Sequence, residues 1–499
     1  MHKKIMLQGT GSSVGKSILT AGLCRIFAQD GYKVAPFKSQ NMALNSFVDI
    51  DGKEMSRAQV VQAEACNVVP RVFMNPILLK PTGGEDCSQV ILEGVPFKNM
   101  SAQEYYSNSE KFKKIALKNY NKLKKEFDIC VMEGAGSPAE INLRDVDLVN
   151  MGMAELVNAP VVLIGDIERG GVFASIYGTI MLLDPPDRNR IKGYIINKFR
   201  GDESLLEKGI AQMDAALKKH GIDVPCLGII PFTKINLEKE DSYTYDSLSS
   251  HSHEKDINIA VIKFDKLSNS TDFTSLLMYD DVNLQYIETA DQLNDTFDII
   301  ILPGSKNAIY DFSLIKERKI AQKIKELADM GKIIIGIHSG FQMLGKSIKD
   351  LEQVESSYLK IEALGLLDIT TKMESKKYTQ QVNKVLQNCT GILEGFNGMK
   401  INGYEIHQGV TTGDNSCSVV EDGGFSLVCR DNIIGTYIHG IFDSPKFTRK
   451  LLNKIRTDKG LSPLFDFMSL ETYKEKEYKR LAKIMRTHLD MDKIYSILK

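Results

Sequence analysis

Short apolar runs rich in β-branched residues recur along this chain, and helix-length segments separate them. The first series falls at 5–7, 32–37, 129–132, 161–164, 194–196 and 227–230. Strands kept apart by helices pair in parallel, and a parallel sheet has to be covered on both faces. In the first helical segment, Leu19, Leu23, Ile26 and Phe27 share one face, as a helix packed on a sheet requires. A second series follows at 257–264, 297–302 and 333–335, with a helix around 315–330 and closing runs at 425–429 and 433–438. Between the series, 238–255 is polar and poor in apolar residues. The pattern predicts an α/β chain of two doubly wound domains, residues 1–237 and 257–446, joined by a linker at 238–256. Beyond 447 the chain is rich in Lys, Arg and Leu with helical period. That tail reads as a packing element with a solvated charged face.

Composition narrows the class. A chain of 499 residues holds enough apolar side chains for two or three cores. The net charge of −1, with a quarter of the residues charged, argues against nucleic acid or an anionic membrane as a partner. No apolar run has membrane-spanning length, and residues 1–7 are too short a stretch for a secretory signal. The eight cysteines are scattered without a C-x-x-C pair. They read as reduced, buried thiols of a cytoplasmic protein rather than a zinc site.

Two turns carry the chemistry. The first is Gly9-Thr10-Gly11-Ser12-Ser13-Val14-Gly15-Lys16-Ser17, set between a strand and a helix, the context of a phosphate-binding P-loop. Its glycines let backbone N–H groups face phosphate oxygens, and the helix adds its positive end. Lys16 is expected at the β and γ phosphates and Ser17 at Mg²⁺. Glu133, ending its strand before Gly134-Ala135-Gly136, is the expected partner oxygen for that metal. Asp166 is a weaker metal candidate that serves equally well as a turn cap. Lys38 leads a polar run through Asn41 and Asn45 where an anionic substrate would meet the γ-phosphate. Lys80 is either a second such cation or a surface residue.

The second turn is Gly336-Ile337-His338-Ser339-Gly340, after the apolar run 333–335. Glycines two before and two after a central residue lift that side chain onto an exposed apex near backbone N–H groups. Here the apex is His338, not a cysteine or serine. Ser339 is one residue off it, and Cys429 is the one thiol with a route toward the turn through neighbouring strands. Glu405 and His407 read either as lining this pocket or as a polar surface strand.

With both turns in view, the chain resembles the cobyric acid synthase family over nearly its whole length. The likeness runs through Gly9–Ser17, Pro36-Phe37-Lys38-Ser39-Gln40-Asn41-Met42 and Met74-Asn75-Pro76-Ile77-Leu78-Leu79-Lys80-Pro81. It continues through Met132-Glu133-Gly134-Ala135-Gly136, Gly165-Asp166-Ile167-Glu168-Arg169-Gly170-Gly171 and Ile196-Asn197-Lys198-Phe199-Arg200. Leu302-Pro303-Gly304-Ser305-Lys306 and Tyr437-Ile438-His439-Gly440 complete it. The resemblance implies a dethiobiotin synthetase-like ATP domain joined to a class I glutamine amidotransferase-like domain. It implies ATP contacts at Gly9, Thr10, Gly11, Val14, Gly15, Lys16, Ser17 and Asn197, and a corrinoid substrate near Lys38, Asn41, Asn45 and Lys80. The reaction implied is amidation of carboxylates b, d, e and g of adenosylcobyrinic acid a,c-diamide. His439 matches the amidotransferase histidine and Gly304 the oxyanion-hole side.

His338 departs from the family, which has a cysteine there. Loss of the nucleophile from an acyl-transfer triad costs on the order of a millionfold in rate. The expectation is an ATP- and Mg²⁺-dependent amide ligase that takes ammonia directly or from another protein. His338 then fills a disused pocket, binds metal with His439, or has a catalytic role of its own. Two other readings are a non-catalytic corrinoid- or nucleotide-binding paralogue and a partitioning-type ATPase.

Overall fold

The six apolar runs of the first series are the six strands of one parallel sheet. Their order is Cys226–Pro231, Ile191–Phe199, Val161–Asp166, Lys3–Gly9, Ile129–Glu133 and Val34–Phe37. Both faces are covered, so Ile5 and Leu7 pack into one core while Met6 packs into the other. This alternation follows from the two-residue period of a strand. The protein is described as a computed structural model comprising residues 2–81, 87–237, 255–356, 358–413, 417–421, 424–467 and 469–498. The predicted linker therefore lies outside the described residues apart from positions 255 and 256.

The second sheet is parallel through Val282–Ile287, Ile257–Ile262, Ile299–Leu302, Ile333–Ile337 and Ile433–Thr436, and two cores flank it. Beyond Ile433–Thr436 it continues through Gly424–Arg430 into a long antiparallel ribbon, Ile369–Val385 against Lys400–Gly413. Sequence periodicity did not predict the ribbon. Its outer half is Lys-, Gln- and Thr-rich with few buried positions, so it lacks an apolar face to read.

The tail does more than close the second domain. Helix Pro445–Asp458 packs there through Leu451, Leu452 and Ile455. Helix Leu470–His488 instead returns to the first domain, where Tyr478, Leu481 and Met485 join the core around Leu19 and Leu23. A side chain on Gly22 would put its Cβ 2.0 Å from the Met485 sulfur, so the two helices meet at near-backbone distance. Lys474 and Tyr478 both reach Glu64, at 3.1 and 2.9 Å.

Candidate active site

The phosphate loop is held by residues from the neighbouring strands. Gly15 caps helix Lys16–Gln29 at φ 102, ψ 16. A Cβ there would meet the Asn197 amide nitrogen at 2.2 Å. Left-handed backbone and this close approach together require glycine. Asn197 donates to Val14 O at 2.8 Å, and Lys198 donates to Ser13 O at 2.8 Å. Asp166 pairs with Lys198 at 2.7 Å and accepts the Glu168 N–H at 2.9 Å. Its two oxygens thus serve a turn and the lysine that braces the loop.

Glu133 is the hub of the charge arrangement and is 1% exposed. Its Oε1 accepts from the Ser17 hydroxyl at 2.8 Å and from the Lys38 ammonium at 3.0 Å, and its Oε2 accepts from Gln62. Lys16 rests on the carbonyls of Gly11 (2.8 Å) and Gly136 (3.0 Å). Asn150 grips Ala135 through both backbone groups and so holds the loop after Glu133. Neither Gln62 nor Asn150 has a sequence signature, because each acts from an element distant in the chain. The Ser17 hydroxyl and Glu133 carboxylate form a hard oxygen pair, a donor set suited to Mg²⁺, which takes its remaining ligands from phosphate and water. Among the described residues there is no cluster of three or more His, Cys, Asp or Glu arranged for a metal.

At the second turn, strand Ile333–Ile337 runs into helix Ser339–Leu344 through His338 at φ 53, ψ −110. A backbone conformation this unusual for a non-glycine residue stores strain and needs support. The support is the His338 N–H to Thr436 O bond at 2.8 Å and the Gly340 N–H to Pro303 O bond at 3.1 Å. A Cβ on Gly340 would lie 1.9 Å from Leu302 O. Gly304 faces the apex, where a Cβ would be 3.3 Å from His338 Nδ1. Ser339 is taken up by the backbone of Ser305 in both directions, at 2.8 and 2.7 Å.

His439 lies beside His338, with ring centroids 5.5 Å apart. Its Nδ1 is 2.7 Å from Asp272 Oδ2, while Asp272 Oδ1 accepts the Gly440 N–H at 3.0 Å. Asp272 thus orients the imidazole as the carboxylate of a catalytic triad does. Sequence reasoning missed this carboxylate because it stands 167 residues from its histidine. Burial and the nearby His439, His407 and lysine charges hold His338 well below the ordinary histidine range, so its imidazole is neutral.

Glu405 and His407 are buried rather than on a polar surface strand. The His407 ring stacks on Tyr437 at 3.8 Å and on Tyr378 at 5.4 Å, and Gln380 donates to Glu405 at 2.8 Å. Cys429 pairs with Ile434 across strands and points its thiol at Thr390 O, 3.4 Å away.

Asn45 and Lys80 belong to the seam between the domains. Asn45 Oδ1 accepts from the Ser270 N–H at 3.3 Å, and Asn269 Oδ1 accepts from the Ser46 N–H at 3.1 Å. Asn269 also lies 3.2 Å from His439 Nε2. Lys80 donates to Ser46 Oγ at 2.8 Å and pairs with Glu54 at 2.5 Å, and Lys377 of the second domain takes the other Glu54 oxygen. Lys80 is therefore a buried structural cation, not a surface residue. Asn41 donates to Ser56 and Gln59, at 2.6 and 3.2 Å, and still lines the cleft.

A cavity of about 1620 Å³ joins these parts. Lys16, Ser17 and Lys38 stand in its wall together with Ser270, Thr271 and Lys306 of the second domain. Tyr473, Leu481 and Ile484 of the tail helix also line it, a role the tail's composition did not predict. Neither His338 nor His439 is part of that wall.

The chain is similar to known proteins along its whole length. Residues 5–243 match the CobQ/CobB/MinD/ParA nucleotide binding domain, and residues 258–447 match the CobB/CobQ-like glutamine amidotransferase domain. A protein of Thermoanaerobacter sp. (strain X514) named cobyric acid synthase is 46% identical over 510 residues, covering 100% of this chain and 99% of that one. Its namesake in Caldanaerobacter subterraneus subsp. tengcongensis is 45% identical over 512 residues, with 100% and 99% covered. The one in Alkaliphilus metalliredigens is 47% identical over 509 residues, with 99% of each covered.

Proposed function

This chain belongs to the cobyric acid synthase family, and we propose that it amidates carboxylates b, d, e and g of adenosylcobyrinic acid a,c-diamide in cobalamin biosynthesis. As an ATP-dependent amide ligase it has to overcome one chemical obstacle: a carboxylate at neutral pH is a poor electrophile. Attack of a carboxylate oxygen on the γ-phosphorus of ATP expels ADP and leaves an acyl phosphate. Ammonia then adds to the acyl carbon, phosphate departs, and the nitrogen gives up its extra proton. Lys16 and Lys38 supply positive charge where the transferred phosphoryl group gathers negative charge. Both ammonium groups rest on protein oxygens that incoming phosphates would replace as partners. The Ser17 and Glu133 oxygens would hold Mg²⁺, which neutralises phosphate charge when bound.

The nitrogen donor in this reading is ammonia itself, free or delivered by another protein. One observation carries it: the Asp272–His439 pair is assembled, but the residue at the apex beside it is a neutral imidazole. A histidine there has no thiol to hold the acyl group of glutamine. The test is ATP-dependent amidation of the corrinoid diamide, followed by product mass, with ammonium chloride or glutamine as the nitrogen source. Amidation with ammonium and little or none with glutamine is expected. Equal turnover from glutamine would overturn the donor assignment, and no amidation from either source would overturn the ligase reading.

A further inference from the structure

The cavity is larger than the roughly 300–1,000 Å³ of an ordinary small-molecule site, so it has room for a second, bulky ligand beside a nucleotide. Its far wall carries Lys306, directly after the Gly304–Ser305 strand. The backbone N–H of Lys306 bonds Lys266 O at 3.0 Å, which fixes the residue's position. Behind it lie two more lysines, Lys80 and Lys377, but both are committed to Glu54, one to each carboxylate oxygen. Glu355, the other acid of the group, accepts the Ala308 N–H at 3.4 Å. Among the described residues, Lys306 has neither an ion pair nor a side-chain hydrogen bond. Lys80 and Lys377 thus share one carboxylate, and the lysine left outside that pairing is the one that lines the cavity. For Lys306 to carry charge in that position, an anion has to arrive from outside the protein.

We propose that Lys306 anchors a non-reacting carboxylate of the polycarboxylic substrate while another carboxylate is activated at Lys38. The inference rests on the corrinoid reading above, in which the substrate carries several carboxylates around one ring. Lys306 then acts as a specificity-determining residue, holding the substrate by an acid group that is not being amidated.

Burial and the ammonium groups of Lys80 and Lys377 hold free Lys306 well below the ordinary lysine range, while Glu54 and Glu355 oppose that effect. Burial raises the Glu355 carboxyl above the ordinary carboxylate range while Lys306 opposes that effect. A bound carboxylate favours the charged lysine, so binding takes up a proton.

The experiment is calorimetric titration of the full chain with adenosylcobyrinic acid a,c-diamide, in two buffers of different ionisation enthalpy, with ATP titrated in parallel. The wild type is expected to take up protons on binding the diamide. Lys306→Met is expected to bind it about tenfold more weakly or worse, without that uptake and with ATP affinity unchanged. Lys306→Arg, always charged, is expected to restore affinity without restoring proton uptake. If wild type binds the diamide and Lys306→Met binds it equally well with the same uptake, the anchor is wrong and the corrinoid reading stands. The anchor is also wrong if Lys306→Met loses ATP affinity instead. If wild type does not bind the diamide, the corrinoid reading itself fails.

Discussion

The two domains each place a strand-to-helix turn at the carboxyl end of a parallel sheet, and each turn contains a residue in positive φ: Gly15 at 102° and His338 at 53°. In the first, Ser13 at 60° shares the left-handed region with Gly15, and the loop is braced from outside by Asn197 and Lys198. In the second, the strained position is the apex, and the turn presents a side chain. The surroundings differ as well. Around the first turn a hydroxyl and an ammonium group converge on one Glu133 oxygen. Around the second, the histidine–carboxylate pair stands ready beside an imidazole that burial keeps neutral. The same local geometry thus supports a charged site in one domain and a buried imidazole at the apex in the other. Packing holds the second frame: Gly340 against Leu302, and Ser339 against Ser305.

The largest effect that would sharpen this contrast comes from placing a thiol at the second apex. His338→Cys is expected to raise glutamine hydrolysis by about a thousandfold or more over wild type, read as glutamate release. No gain would mean the second site has lost more than its thiol. Next, Lys16→Ala should lower ATP-dependent amidation by about a hundredfold to a thousandfold. In a His338→Cys background it should leave glutamate release in place. Loss of both activities would show that the two turns are not separable.

A third test asks whether the tail is part of the first domain. Met485→Ala opens space against Gly22 and should destabilise the protein by about 2 kcal/mol or more, seen as an earlier first transition in chemical denaturation. An unchanged transition would make the tail a mere appendage. The smallest effect is one of pH. The unfolded chain protonates this histidine near pH 6.5 while the folded chain does not. Its contribution to stability is therefore complete above that pH and falls as the pH drops below it, by up to about 1.4 kcal/mol per unit. His338→Gln should flatten the acid side of the stability profile, and an unaltered slope would mean the imidazole is not kept neutral.

Much of this was legible in the sequence because it is written locally. The six strands of the first sheet announce themselves as apolar β-branched runs, the phosphate loop by its glycines before Lys16, and the altered turn by His338 between its glycines. Lys80 shows the opposite case. As a sequence position it follows a strand near other polar candidates, yet the fold buries it against Glu54 and sets it facing Lys377 from the other domain. Asp272, Gln62 and the cavity-lining face of the tail helix carry no local pattern at all.

By itself the sequence determined the fold class, the glycine-rich loop before Lys16 and the imidazole at the second apex, since periodicity, glycine spacing and residue identity act over a few positions. The tertiary structure alone decided which carboxylate orients His439, which lysines are engaged in the domain seam, and that Lys306 lines the cavity with no ion pair among the described residues. Those are matters of distance between segments far apart in the chain, and burial then turns distance into charge and protonation state.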